Sequence, residues 1–444
     1  MSSRKNVLRP FKEKKDFMNG RIRDGIEANR KGYAFLKLVD ESGNPVKDAD
    51  VKITQKSHDF KYGANLFMLD EFSKEKRSEA KKNGKYREIF AEMFNIATLP
   101  FYWDTLEPEQ GKPRFAKGSK RIYRRPVPDL CLEYCEEAGI EPKAHCLNYC
   151  HFMPKWALGS VQWEKMCLEK RFRELSERYG KRIPMWEVTN ETNWTWCNAS
   201  LYTQDDLVEW SFALAEKYFP ANKLVINEAH IRAWKDFVWN RSPYYMQIQR
   251  ALLKGARIDG IGMQFHMFYR REMEETETAV FYDPERIYNV MDTYAKLGKP
   301  MHVTELTIPA YSNDPEDEEI QAEILKNLYG MWFSHPAMDG IIYWNLPDGY
   351  AHGTTPGDMS KGENYYYGGL LRFDFSLKPA GQVIRDLFGK EWRTVLTKHS
   401  SSSGELSFKG FYGTYDLEIS AGGRKTRETI RLSKESNRHF TIKL

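Results

Sequence analysis

Two short segments of the chain each lead from a largely apolar or β-branched run into a glutamate. Residues 186–191 read Trp-Glu-Val-Thr-Asn-Glu, and residues 302–305 read His-Val-Thr-Glu. A strand that presents a glutamate at its C-terminal end is how a (β/α)8 barrel builds a reactive site. Two such carboxyl groups, Glu191 and Glu305, supply the acid/base and the nucleophile of a retaining glycosidase. The residue types therefore predict double-displacement cleavage of a glycosidic bond.

The elements that would position these carboxyl groups are strands alternating with long helical patterns. Eight such strands with intervening helices favour an α/β fold, a (β/α)8 TIM barrel over residues 58–395. Polar residues gather at the C-terminal ends of these strands, where barrel sites form. The predicted strands are 60–63, 96–100, 141–147, 185–189, 223–227, 260–264, 301–305 and 340–344.

Both ends of the chain carry alternating β patterns. Residues 29–57 contain two predicted strands, and residues 396–444 contain three more. Three strands in about 45 residues are marginal alone. We therefore expect a small accessory β-sandwich-like domain built from both termini, with residues 398–404 as its linker or loop. The charged segment 1–28 is predicted to be helical or extended.

Composition excludes several classes of partner. The 444 residues carry a net charge of only +5, with 67 basic and 62 acidic side chains interleaved, which disfavours a nucleic-acid groove. No run of 18 apolar residues suggests a membrane span. The six cysteines form no disulfide or zinc framework by spacing, so we expect reduced thiols. These thiols and a start with no secretory signal favour a cytoplasmic protein.

From about Phe60 to Ala380 the chain resembles glycoside hydrolase family 10, the endo-β-1,4-xylanase family. The acid/base motif of that family, Trp-Asp-x-x-Asn-Glu, matches residues 186–191, with Glu187 in the place of the Asp. The nucleophile motif Thr-Glu-Leu-Asp matches residues 304–307, with Thr307 in the place of the Asp. The resemblance implies that Glu191 is the general acid/base and that Glu305 is the nucleophile.

Five further residues match polar or aromatic positions of the family. The resemblance implies that Asn190 holds the sugar 2-hydroxyl at the cleavage subsite. Gln264 would help to bind the sugar, and His266 would hydrogen-bond the nucleophile. His145 would hold a sugar hydroxyl near the cleaved bond, and Trp344 would form the floor of the cleavage subsite.

The pattern departs from the family on the non-reducing side of the cut. The Glu, Asn and Lys that bind the next sugar there are missing, and residues 100–102, Pro-Phe-Tyr, stand in their place. Tyr149 and His352 stand where the family has tryptophans, and Phe152 stands where it has a glutamine. Two outcomes remain open. Either the substrate has changed to an exo-cleaved, decorated or non-xylan β-glycoside, or other loops, with Tyr102, Trp103 or His151, replace the lost contacts. Tyr102, Trp103, Tyr149 and His352 are predicted to bind the substrate and complete the set of eleven predicted site residues.

Two other classes of function compete with a glycosidase. One is a carbohydrate-binding protein on a catalytically weak barrel, to which the terminal β domain would contribute. The other is a metal-dependent hydrolase that uses four histidines without tight ligand spacing, namely His145, His151, His266 and His302. The main prediction is an enzyme with a carbohydrate substrate and no cofactor or metal. The sequence leaves the oligomeric state open.

Overall fold

The structure is a computed structural model that describes residues 4–72, 77–193, 197–435 and 437–444. Within these residues the strands are β1 Lys31–Val39, β2 Asp50–His58, β3 Lys61–Asn65, β4 Ile96–Pro100, β5 Glu141–His145, β6 Met185–Asn190, β7 Lys223–Glu228, β8 Gly260–His266, β9 Met301–Thr307, β10 Met338–Tyr343, β11 Val395–His399, β12 Glu405–Phe411, β13 Gly413–Ala421, β14 Arg424–Leu432 and β15 His439–Lys443.

The α-helices of the described residues connect or flank these strands. They are α1 Arg9–Glu13, α2 Lys15–Asn29, α3 Arg77–Met93, α4 Trp103–Leu106, α5 Pro128–Ala138, α6 Val161–Tyr179, α7 Leu207–Tyr218, α8 Pro243–Leu253, α9 Glu274–Thr278, α10 Pro284–Ala295, α11 Pro315–Ser334 and α12 Pro379–Asp386. Among the described helices, none is both long and apolar enough to cross a lipid bilayer.

Strands β3 to β10 close into a parallel barrel in sequential order, with β10 pairing back onto β3. Every residue of β4, β6, β8 and β9 is buried, because helices cover the outside of the barrel while side chains fill its interior. The predicted TIM barrel is confirmed, and each of the eight predicted strands overlaps one barrel strand.

Helix boundaries follow local sequence chemistry. The Ser160 side chain accepts a hydrogen bond from the backbone N–H of Trp163 and caps α6, and Asp283 caps α10 in the same way. Helix α5 begins at Pro128, where the missing N–H costs nothing, and ends at Gly139, whose φ of 66° is left-handed. The two N-terminal caps set the points at which the chain enters α6 and α10, and Gly139 sets the point at which it leaves α5 for the next strand.

The two chain ends form two small sheets that pack face to face. One has the order β12-β1-β15 and the other β11-β2-β13-β14. Strand β1 alternates buried and exposed residues, so that Leu36 and Leu38 face the shared core while Tyr33 and Phe35 face solvent. The prediction that both termini build one β-sandwich-like unit is confirmed. The predicted linker is wrong at its start, because β11 extends to His399 and pairs with β2.

The N-terminal segment is tied to the barrel by charge pairs and close packing. The guanidinium of Arg4, which is largely buried, lies 2.8 Å from Glu274 and 3.1 Å from Asp317. Helix α2 runs against α11, where a Cβ on Gly25 would lie 2.6 Å from the carbonyl oxygen of Ser334. This segment therefore covers the outer surface of the barrel near α11.

One expectation about the cysteines is wrong. Cys150 and Cys197 are paired as a disulfide, with Cα atoms 5.9 Å apart. The expectation of reduced thiols holds for the other four, which are free and buried. Spacing did not indicate the pair, because 47 residues separate its members and only the barrel brings their loops together.

Candidate active site

A cavity of about 300 Å³ opens at the C-terminal ends of the barrel strands. This is the end at which TIM-barrel enzymes place their reactive groups, and the volume is at the lower end of the range of small-molecule sites. Ten of the eleven residues predicted to form the site line this cavity: Tyr102, His145, Tyr149, Asn190, Glu191, Gln264, His266, Glu305, Trp344 and His352.

One amide group bridges the two carboxyl groups. The Nε2 atom of Gln264 donates to Oε1 of Glu191 at 2.8 Å and to Oε1 of Glu305 at 3.1 Å. These two oxygens are therefore at most 5.9 Å apart, the sum of the two bonds. A retaining pair needs a carboxyl separation of about 5–5.5 Å, whereas an inverting pair needs about 6.5–9.5 Å. The upper limit excludes the inverting range for this pair of oxygens.

Glu305 is buried and held from several sides. The Nδ2 atom of Asn227 donates to its Oε1 at 3.1 Å, and Nε2 of His266 lies 3.2 Å from its Oε2. The other ring nitrogen of His266 lies 3.0 Å from the hydroxyl of Thr307. Asn227 was not among the predicted site residues. The signal was present, because it is the last residue of a predicted strand in a barrel whose sites form at strand ends.

Glu191 lies just beyond β6, with a φ of 50°. A non-glycine residue in this left-handed region is strained, and such strain concentrates at functional sites. The hydroxyl of Tyr149 donates to Oε2 of Glu191 at 2.8 Å. Burial and the nearby Glu191 carboxylate raise the pKa of Tyr149 well above its ordinary value. The phenol therefore stays protonated and remains a donor to Glu191.

Beneath the pair, three buried charged groups form a compact cluster. Glu187 contacts both the ammonium of Lys143 and Nδ1 of His145, and neither Lys143 nor Glu187 is exposed at all (0% for both side chains). Burial alone would raise the pKa of Glu187. The interactions with Lys143 and His145 are together stronger than this effect and lower the pKa of Glu187 to about 2. Burial also opposes charge on His145, but Glu187 and Glu305 raise the pKa of His145. The Nδ1 atom of His145 lies 3.9 Å from Oε1 of Glu305.

The same cluster bears on the metal alternative. The ligand atoms of His145, Glu187 and Glu305 lie within 4.8 Å of one another, close enough to share a cation. However, the Lys143 ammonium already contacts Glu187, so the position carries a cation and a divalent ion would add repulsion. The donor set therefore fits a protein cation better than a metal. His151 and His302 do not line the cavity, so the four histidines of the metal hypothesis do not gather in one site.

Aromatic side chains form one wall and the floor of the cavity. Trp344, which is 7% exposed, packs edge-on against Phe67 at 5.1 Å between ring centroids and against His266 at 5.7 Å. The ring of Tyr102 lies 5.1 Å from that of His145 and 4.1 Å from that of Phe152. Apolar rings of this kind suit the faces of a sugar.

Trp103 is the one predicted site residue that does not reach the cavity. Its indole packs edge-on against Trp156, and its Nε1 donates to Glu107 at 3.0 Å. The guanidinium of Arg171 lies over the ring, 5.2 Å from its centroid. Trp103 is the first residue of α4, and the direction of that helix turns its side chain into the core instead of toward the sugar.

Eight of the residues that line the cavity were not predicted from the sequence. Two of them are adjacent cations, Arg124 and Arg125, on the long segment between α4 and α5. The others that were not predicted are Phe67, Phe152, Ala229, His230, Phe268 and Glu363. Phe152 had been noted only as a departure from the family motif. Loop residues such as the arginines have no periodicity that would indicate where they point.

Comparison with known proteins places this geometry in a family. Residues 66–365 match the model of glycosyl hydrolase family 10. Anti-sigma-I factor RsgI6 of Acetivibrio thermocellus is 23% identical over 93% of this chain and 48% of its own length. Endo-1,4-beta-xylanase 2 of Arabidopsis thaliana is 23% identical over 90% of this chain and 33% of its own. Endo-1,4-beta-xylanase B of Thermotoga neapolitana is 26% identical over 68% and 83%, respectively. The chain thus spans half or less of the first two relatives.

Solved structures show the same architecture. Xylanase 10B from Thermotoga petrophila RKU-1, in complex with xylobiose, superposes with a TM-score of 0.59 at 21% identity, covering 75% of this chain and 95% of that one. Native xylanase 10B from Thermotoga maritima superposes with a TM-score of 0.58 at 22% identity, covering 75% and 96%. At 21% and 22% sequence identity, these superpositions show a shared fold and nothing about activity. Since the family model matches more than half of the residues, the chain belongs to glycosyl hydrolase family 10.

Proposed function

We propose that the protein is a retaining β-glycoside hydrolase that cleaves β-linked, xylan-type glycans or oligosaccharides through a covalent glycosyl-enzyme. The observation that carries the proposal is the Gln264 bridge, which keeps Oε1 of Glu191 and Oε1 of Glu305 no more than 5.9 Å apart, below the separation of an inverting pair. Family membership and the xylanases among the relatives support the same substrate class.

In the first step Glu191 acts as the acid. Its proton passes to the glycosidic oxygen as the bond from that oxygen to the anomeric carbon breaks, and the aglycone leaves as an alcohol. A carboxylate oxygen of Glu305 attacks the anomeric carbon from the opposite face and forms the glycosyl ester. Positive charge develops on the sugar ring during this step, and the ionised Glu305 stabilises it. The amides of Asn227 and Gln264 hold that carboxylate in place.

In the second step Glu191 acts as the base. It accepts a proton from water while the water oxygen attacks the anomeric carbon, and the bond to Glu305 breaks to restore its carboxylate. The hydroxyl of Tyr149 orients Glu191 in both steps, because it donates to the carboxyl oxygen that is not bonded to Gln264. Two inversions at one carbon retain the β configuration.

The substrate departs from plain xylan on the non-reducing side. Tyr102 and Phe152 pack together where the family has sugar-binding polar residues, and the Arg125 guanidinium lies 4.1 Å from the centre of the Tyr102 ring. An unsubstituted xylose there would lose hydrogen bonds that the family provides. This favours a decorated glycan, a cut near the chain end, or a non-xylan β-glycoside over an internal cut in bare xylan.

The test is covalent trapping with a 2-deoxy-2-fluoro β-xyloside that carries a dinitrophenolate leaving group, with the β-glucoside as a second probe. We expect a glycosyl mass adduct on the peptide that contains Glu305, and none with Glu305→Gln. Glu228→Gln is the matched control, because Glu228 is a buried carboxyl at the end of β7 that does not line the cavity. No adduct with either probe would favour a carbohydrate-binding protein on the same barrel.

A second measurement separates the two carboxyl groups. Glu191→Ala should slow hydrolysis of xylo-oligosaccharides by about 10²–10⁴-fold, the usual contribution of a general acid. The rate of bond cleavage in dinitrophenyl glycosides should not change in Glu191→Ala, because their leaving group needs no proton. Equal losses on both substrates would contradict the acid role of Glu191.

A further inference from the structure

The wall of the cavity on the non-reducing side contains two adjacent buried cations. Arg124 is 1% exposed and Arg125 is 4% exposed, and both line the cavity that holds Glu191 and Glu305. Both lie on the segment between α4 and α5, which runs from residue 107 to residue 127. Irregular segments of this length inside a compact domain are uncommon and usually functional.

Neither arginine has an acidic partner among the described residues. All ion pairs there join other side chains, and none within 4.0 Å involves Arg124 or Arg125. The acids whose charge acts on Arg125 are Asp104 and Glu363, and both lie beyond that distance. Glu363 is also engaged, because its Oε2 accepts from the amide of Asn345 at 2.8 Å. A buried cation without a counter-charge is costly, so the pair marks a place for an anion from outside the chain.

The two guanidinium groups differ in how they are held. Arg124 has a left-handed φ of 59°, donates to Oδ1 of Asn345 at 2.7 Å, and also contacts the carbonyl oxygen of Tyr350. It is therefore fixed by the chain itself. The guanidinium of Arg125 makes one hydrogen bond within the described residues, from Nη1 to the carbonyl oxygen of Arg124 at 3.0 Å.

The remaining edge of Arg125, formed by Nε and Nη2, has no hydrogen-bond partner in the described part of the chain, and Nε is buried. This edge is the two-pronged donor that matches the two oxygens of a carboxylate. Aromatic rings hold the guanidinium plane, with ring centroids at 4.1 Å for Tyr102, 5.5 Å for Phe67 and 5.6 Å for Phe152. Burial lowers the pKa of Arg125 to about 10, which leaves it charged at neutral pH.

We propose that Arg125, supported by Arg124, binds the carboxylate of a uronic acid carried on the sugar beyond the one that is cleaved. This inference rests on the proposed glycosidase function and specifies its substrate: an acidic, uronyl-bearing β-glycan fragment. It also accounts for the rebuilt wall, because the polar residues that would bind neutral hydroxyls are absent where the cation and its aromatic rings lie.

The test compares two ligands that differ only in charge. One is a xylo-oligosaccharide with a glucuronyl group on the second sugar from the cut, on the non-reducing side, and the other is its neutral methyl ester. Binding is measured by calorimetry on the full-length Glu305→Gln protein, so the readout does not depend on turnover. We expect the acid to bind at least tenfold more tightly than the ester, and this preference to weaken as salt is raised.

Variants assign that preference to a residue. Arg125→Gln should bring the acid-to-ester ratio close to one, and Arg125→Lys should restore only part of it, because a lysine lacks the planar fork. Arg30→Gln is the control, since Arg30 is a partly buried arginine that donates to the backbone carbonyls of His335 and Met338, both at 2.6 Å, and does not line the cavity. It should keep the wild-type ratio, and the unfolding midpoint of each variant reports whether the fold is intact.

Three outcomes would overturn the proposal. These are a wild-type ratio near one, an unchanged ratio in a folded Arg125→Gln protein, and tighter binding of a sulfated analogue than of the uronate. None of these outcomes depends on whether the fluoro-glycosides trap Glu305. Failure of the glycosidase proposal would appear there instead, as a missing adduct while the charge-dependent binding persisted.

Discussion

Replacing Glu187 by Gln tests whether the buried charge cluster supports the barrel. The substitution keeps the shape of the side chain but removes the negative charge that faces Lys143 and His145, both of which are buried. Within the described residues Lys143 has no other ion pair. Its ammonium would therefore remain in the interior with no counter-charge.

The magnitude follows from the carboxyl group itself. Lysine and histidine lower the pKa of Glu187 from 4.5 to about 2, and at about 1.4 kcal/mol per pH unit this corresponds to about 3 kcal/mol of folding free energy. Breaking a buried ion pair by removing one partner costs about 3–5 kcal/mol in general. We expect Glu187→Gln to lower the free energy of unfolding by about 3 kcal/mol at pH 7, roughly a hundredfold change in the folding equilibrium.

The sign of the pH dependence is set by the lowered pKa. A carboxyl group whose pKa is lower in the folded state stabilises the protein fully above its ordinary pKa, and this stability is lost as pH falls toward the folded value. The contribution of the Glu187 carboxyl group to the stability gap between wild type and Glu187→Gln should therefore be complete above about pH 5 and shrink by about 2 kcal/mol by pH 3.

The assay is equilibrium unfolding in urea, followed by tryptophan fluorescence at pH 7, 5 and 3. Glu174→Gln is the control, because it breaks a half-exposed pair with Lys170 and should cost less than about 1 kcal/mol. Adding Lys143→Met to Glu187→Gln should recover part of the loss. A cost below about 1 kcal/mol, or a gap that does not change between pH 7 and pH 3, would refute the account of this cluster.

Three further predictions use other features. Tyr149→Phe removes the hydroxyl that donates to Glu191. Because a hydrogen bond to a charged group contributes about 1.5–3 kcal/mol, kcat/KM on xylo-oligosaccharides should fall about 10- to 100-fold. A change of less than twofold would contradict the orienting role of Tyr149. Dialysis against EDTA should leave glycoside hydrolysis unchanged, since Lys143 supplies the cation at Glu187; activity that disappears and then returns with added metal would favour the metal-dependent alternative. Gly63→Ala would place a Cβ 2.0 Å from the carbonyl oxygen of Ile96 in the neighbouring barrel strand, so the unfolding midpoint should drop by the equivalent of at least about 1–3 kcal/mol. The control is Gly84→Ala on α3, which has open space around it and should be neutral or stabilising by up to about 1 kcal/mol. Similar midpoints for the two variants would count against the strand packing.

The barrel and the placement of its two carboxyl groups could be predicted from the sequence because both depend on local patterns. Buried strands such as β6 and β9 contain apolar and β-branched residues, and a glutamate near the end of such a strand lies at the C-terminal rim of the barrel. The alternation in β1 and in β13 likewise indicated a half-exposed sheet at each chain end. Strand period and strand order were enough to bring Glu191 and Glu305 to one cavity.

The rest depended on contacts between residues distant in sequence. The Lys143–Glu187 pair, the Cys150–Cys197 disulfide and the engagement of Asn227 with Glu305 each join separate elements. No local pattern indicates which side chains of neighbouring elements will meet.

Loop side chains show the same limit most clearly. Trp103 turns into the core although its neighbour Tyr102 faces the cavity, and Arg125 reaches the cavity from an irregular segment. A strand or helix repeats its side-chain directions at a fixed period, whereas an irregular segment takes its directions from whatever it packs against. Local patterns therefore predict the barrel and the two glutamates at its rim, whereas the charges and rings that line the cavity depend on packing between distant parts of the chain.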